Sequence, residues 1–132
     1  MTINAGKPMT YKIELNNQPD YIYVAYTKQA NLDARKSLTN DLIQVCKDSE
    51  IFDIIIDTTN MNHAMSPIDF FAFADAFCST VSDRNIKVVI VTRKLEKFTV
   101  LTKIVMNSSG IVNALFDSKK HAVEWLFGDS KN

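Results

Sequence analysis

Ile51-Phe52-Asp53-Ile54-Ile55-Ile56-Asp57 is the run on which the fold turns. It is the most β-prone stretch of the chain. Three consecutive isoleucines suit a strand covered on both faces, as in a parallel sheet. The run stops at Asp57, and Thr58-Thr59-Asn60-Met61-Asn62-His63-Ala64-Met65 follows as loop. Ser66-Pro67-Ile68-Asp69 then opens a helix. Ser66 suits the N-cap, Pro67 the first helical position and Asp69 the third. Ligands of open α/β sheets bind beyond the carboxyl ends of strands, so a site is expected in the crevice between Asp57 and Ser66.

The remaining elements extend outward from this unit. Met9 to Leu15 alternates apolar and polar residues as a half-exposed strand does. Asn16-Asn17-Gln18-Pro19-Asp20 is a turn cluster, and Tyr21 to Thr27 is a second strand, which makes an antiparallel hairpin. Asn31 can cap a helix running to about Asp48. Its Leu38, Leu42, Val45 and Cys46 share a buried face, with Arg35, Lys36, Asn40, Asp41 and Lys47 on the other. The helix after Ser66 carries Phe70, Phe71, Phe73, Ala74, Phe77, Cys78 and Val81, an apolar surface wider than one stripe. Ile86 to Thr92 is a further strand. Leu95, Phe98, Leu101 or Thr102, and Val105 have helical spacing, and Gly110 suits a helix C′ position. Ile111 to Phe116 is a short last strand. Asp117 and Ser118 offer a cap for a final helix with Ala122, Trp125 and Leu126 facing inward, and Gly128 ends it. The order is β-β-α-β-α-β-α-β-α. It implies an α/β fold with a mostly parallel sheet and an antiparallel N-terminal hairpin. Residues 1–8 read as a flexible lead-in, 9–128 as one domain and 129–132 as a frayed tail.

Composition narrows the function classes. The chain has 132 residues, 46% apolar and 23% charged, as in an ordinary globular domain. Fifteen basic residues balance fifteen acidic ones, which argues against a nucleic-acid partner and a polybasic membrane anchor. No apolar run approaches the length of a membrane span, and Met1 to Lys7 has no signal-peptide core. A cytoplasmic location is expected. Cys46 and Cys78 both fall on apolar helix faces and read as core thiols. Without a Cys-x-x-Cys or a second spaced ligand for His121, no metal or cofactor is expected.

The element order resembles the STAS family, and so does the spacing of Asp57 to Ser66, a strand-ending aspartate and a helix-capping serine nine residues on. That family includes the SpoIIAA-like anti-sigma-factor antagonists and is grouped with the Sec14-like lipid-binding fold. Gly110-Ile111, Ala114-Leu115-Phe116-Asp117-Ser118 and Ala122-Val123-Glu124-Trp125-Leu126 look like the close of small bacterial STAS/SEC14-type proteins. The resemblance implies a SpoIIAA-like single domain. In the antagonists the matching loop reads Asp-Ser-Ser-Gly, and a kinase phosphorylates a serine that maps to Ser66. Here Met65 replaces the aspartate, and Pro67 and Ile68 replace the second serine and the glycine.

Each candidate site has a plainer alternative. Ser66 is a phosphorylation or anion site at a helix N-terminus, or a cap worth about 1 kcal/mol. Asp57, Thr58, Thr59, Asn60, Met61, His63 and Met65 line a ligand or partner loop, or they only bond one another. Asp57 and His63 are the single acid–base pair available, and no nucleophile motif accompanies them, so no catalytic residue is assigned. Arg93, Lys94, Lys97 and Lys103 form a basic stretch that meets an anionic ligand or an acidic partner surface, or is simply solvated. Phe70, Phe71 and Phe73 form a candidate interface, since adjacent phenylalanines cannot readily share one core. The expected function is a non-enzymatic regulatory or interaction module that engages a protein partner or a second copy of itself. A small-ligand domain for a lipid-like or anionic molecule is the alternative, and an enzyme ranks last.

Overall fold

The structure, a computed structural model, describes residues 10–27, 32–61, 67–81, 85–93, 104, 107–108 and 110–128. Its strands are β1 (Tyr11–Asn16), β2 (Tyr21–Tyr26), β3 (Asp53–Asp57), β4 (Lys87–Val91) and β5 (Val112–Phe116). Its helices are α1 (Leu32–Ser49), α2 (Pro67–Thr80) and α3 (Lys119–Phe127). One sheet is formed in the order β1-β2-β3-β4-β5, antiparallel between β1 and β2 and parallel elsewhere. The expected hairpin is therefore the edge of a parallel sheet.

Sequential strand order has a structural consequence. Right-handed crossovers that all step the same way place the connecting helices on one face. That face carries Ile22, Val24, Ile54, Ile56, Val88 and Ile90, packed against Leu38, Leu42, Phe70, Phe73 and Phe77 of α1 and α2. The opposite face carries Tyr21, Ile55, Val89 and Val91 beneath Ala122 and Leu126 of α3. Ile54, Ile55 and Ile56 are all buried, which accounts for the unbroken apolar run. Lys87 N still donates to Phe52 O at 3.0 Å, so pairing persists just before β3 begins.

Several expectations need correction. Trp125, expected to face inward, is 36% exposed. At about 100° per residue, pointing Ala122 and Leu126 at the sheet turns Trp125 onto a flank of α3. Arg35 and Asp41, expected on the solvent face of α1, are both half-buried. Arg35 Nε lies 3.1 Å from Asp69 Oδ1 across to α2, and Asp41 accepts a 2.6 Å bond from Tyr11 O–H on β1. Asp69 thus serves an interhelix pair rather than only its own helix start. The Asn31 cap and the third-helix residues Leu95, Phe98, Leu101, Thr102 and Val105 lie outside the described residues, although Ile104, Asn107 and Ser108 are helical. Gly110 has φ +86°, the left-handed geometry expected of a C′ residue.

Cys46 is buried, and burial pushes its thiol up to about 12. Cys78 is half-buried. Because the thiolate is the reactive form, native protein near neutral pH should expose Cys78 alone to Ellman's reagent. Cys46 should react only after unfolding. Two thiols reacting at one rate in native buffer would contradict the burial.

Candidate functional site

The crevice beyond β3 is closed by its own hydrogen bonds, as far as Met61. Asp57 is half-buried, and both of its carboxylate oxygens accept hydrogen bonds. One oxygen accepts from Thr59 N at 2.9 Å and Thr59 Oγ1 at 2.6 Å. The other accepts from the hydroxyl of Tyr23 on β2. Thr58 is buried, and its N–H and Oγ1 both donate to Val91 O, at 2.8 and 2.9 Å. Met61 is buried in the main core, and its N–H donates to Thr58 O at 2.9 Å. Among the described residues of this group, Asn60 is the exposed one. His63, Met65 and Ser66 lie outside the described residues.

Tyr23 is the residue the sequence reading missed. The register pairs Tyr23 with Ile55, so it points to the same face as Asp57, two residues further along β3. The alternation of β2 held that signal, but only the parallel register locates the partner. Burial raises the Tyr23 hydroxyl well above the usual tyrosine range, and the bond to Asp57 adds to it. Lys119 Nζ stands 4.1 Å from the centre of the Tyr23 ring, a cation–π contact from α3.

The phenylalanine set divides. Phe70 (0% exposed) and Phe73 (5%) are core, not interface, because they lie on the inward arc of α2. Ring centroids are 6.0 Å apart for Phe70–Phe73 and 4.7 Å for Phe73–Phe77. Phe71 is 62% exposed, and Ile68, one turn earlier, is 79% exposed. Beside this ridge a cleft of about 310 Å³ opens between α1 and α2. Tyr26 and Ile56 belong to its sheet floor, Leu38 and Phe73 to its walls, and Arg35 and Asp69 bring their ion pair to it. Burial raises the Tyr26 hydroxyl, while the charge of Arg35 works against that rise.

Ser118 caps α3 as expected, accepting from His121 N at 3.2 Å, and its Oγ lies 3.0 Å from His121 Nδ1. His121 and Arg93 are exposed, and Lys94, Lys97 and Lys103 lie outside the described residues. Among the described residues no three His, Cys, Asp or Glu side chains group to hold a metal ion. No described helix is long and apolar enough to cross a membrane.

No family model matches the chain, and no curated protein matches it. A solved structure does. It is an uncharacterized protein from the DUF3478 family with a SpoIIAA-like fold, from Shewanella loihica PV-4. It is 13% identical, with a TM-score of 0.62 over 92% of this chain and 98% of that one. At that identity the likeness is one of architecture: this chain has a SpoIIAA-like α/β fold.

Proposed function

We propose that the protein is a non-enzymatic interaction module that engages a protein surface through the exposed ridge of α2. The observation that carries this reading is the pair Ile68 and Phe71, largely exposed and one turn apart. Large apolar side chains grouped on a surface are a mark of association. The hydrogen bonds from Tyr23 and Thr59 to Asp57 support the non-enzymatic part, since those groups serve the fold. A photoreactive amino acid at position 71, introduced in the cells that make the protein, should give a discrete covalent adduct. The same probe at exposed Lys47 on α1 should give none. Equal, diffuse labelling at both positions would sink the reading.

The cleft favours a second reading, a small amphiphilic ligand with its apolar part between α1 and α2. Ala76 lines the cleft, so Ala76→Phe should fill it and abolish binding of a fluorescent fatty-acid probe. Undiminished probe binding by a folded variant would count against the cleft as a ligand site.

A further inference from the structure

Two tyrosines meet edge to face beside α1, and the fold treats their hydroxyls differently. Tyr11 and Tyr26 pair across the β1–β2 hairpin, with ring centroids 6.5 Å apart at 76°. The Tyr11 O–H donates to Asp41 Oδ2 at 2.6 Å and lies 2.9 Å from Ser37 Oγ, which ties β1 to α1. Tyr26, the last residue of β2, is 3% exposed, and that small exposed part faces the α1–α2 cleft it floors. Its hydroxyl has no hydrogen-bond partner among the described residues. What acts on it is burial and the nearby charges of Arg35 and Asp69. A polar group so far withdrawn from water is costly without a bond, and most such groups in folded proteins have one.

The rest of the cleft indicates what can supply that bond. Arg35 and Asp69, from the first turns of α1 and α2, answer each other's charge at 3.1 Å. The Thr39 hydroxyl is turned back to donate to Arg35 O at 3.0 Å. The walls beyond are Leu38, Ala72, Phe73 and Ala76, with the exposed Lys36 at the rim. The floor is thus an apolar slot with one open hydroxyl and no uncompensated charge. Burial raises the Tyr26 hydroxyl above the usual tyrosine range, so it stays protonated and able to donate. A volume of about 310 Å³ has room for on the order of 10 non-hydrogen atoms, at ~30 Å³ for a water in the liquid. Resting on the cleft reading above, we infer that Tyr26 is a ligand-binding residue and that the slot takes an uncharged, mostly apolar molecule of this size, whose single hydroxyl or carbonyl oxygen accepts from the Tyr26 O–H. A carboxylate is held at the rim by Lys36 instead, with its apolar part still in the slot.

The test uses three probes that share one ring system: 2-naphthol, naphthalene and 2-naphthoate. Affinities are read at neutral pH from the relaxation of the probes' own proton NMR signals. Tyr26→Phe removes one oxygen and strands no described partner, so its melting temperature should match wild type. Wild type is expected to bind 2-naphthol, and Tyr26→Phe to bind it about 5- to 10-fold more weakly, as for one lost neutral hydrogen bond. Naphthalene and 2-naphthoate should bind both proteins alike. Ala76→Phe, or Ala72→Trp if that variant fails to fold, fills the slot and should abolish binding of all three. 2-Naphthol bound equally by wild type and Tyr26→Phe overturns the Tyr26 contact, and blocked binding in the filled variant then leaves the cleft reading standing. An equal loss for naphthalene reports altered packing and overturns the contact as well. An equal loss for 2-naphthoate overturns the preference for an uncharged head. Wild type that binds none of the three overturns the inference, and the fatty-acid probe then judges the cleft by itself. Binding undiminished in a folded, filled variant removes both.

Discussion

Phe70→Ala is expected to destabilise the fold by about 3–5 kcal/mol, while Phe71→Ala changes it by less than about 0.5. The two residues are chemically identical neighbours, so the difference measures burial alone. Phe70 is fully buried and packs on Phe73, which packs on Phe77. Truncating it removes its transfer free energy and leaves a cavity that rigid neighbours close only in part. Phe71 reaches solvent, and alanine is the better helix former, so its truncation is near neutral. A small domain is stable by only about 5–15 kcal/mol, so Phe70→Ala consumes a large share. Urea denaturation of dilute protein decides the matter. A loss below about 1 kcal/mol for Phe70→Ala would contradict the packing of α2. The same contrast governs how binding data are read. Loss of association in a Phe70 variant reports unfolding, and only Phe71 tests contact.

The fold was legible because its signals are local. The isoleucine run, the turn at Asn17 to Asp20, the Ser118 cap and Gly110 each declare themselves within a few residues. What failed depended on contacts between distant elements. Helical spacing alone makes Phe70, Phe71 and Phe73 look alike, and only the seating of α2 on β3 and β4 decides that Phe71 faces out. The pairing of Arg35 with Asp69 was hidden because it joins parallel helices from separate crossovers. Tyr23 looked like one more strand aromatic until the register set it beside Asp57. The cleft has no sequence signature, since it is space left between α1 and α2.

Asp57→Ala is expected to cost about 2–3 kcal/mol, against about 1–1.5 for Tyr23→Phe. The carboxylate accepts three hydrogen bonds, and removing it strands two donors on Thr59 and one on Tyr23. Bonds to a charged group are worth more than neutral ones, but the half-buried site lets water recover part of the loss. Tyr23→Phe removes one donor and leaves Thr59 in place, so its effect is smaller. The double variant should show a coupling of about 1–2 kcal/mol, because the two side chains share one bond. Simple additivity would mean that the bond contributes nothing. A pH series adds an independent check. The Tyr23 hydroxyl titrates higher in the folded state than in the unfolded chain, as do Tyr11 and Tyr26. Their contribution to stability is full below the unfolded tyrosine value near 10 and is lost as pH rises beyond it toward the folded values. Wild type should therefore lose stability steeply on the alkaline side, and Tyr23→Phe should flatten that slope by its own share. An alkaline limb identical in both proteins would show that Tyr23 ionises as freely folded as unfolded, against its burial and its bond to Asp57.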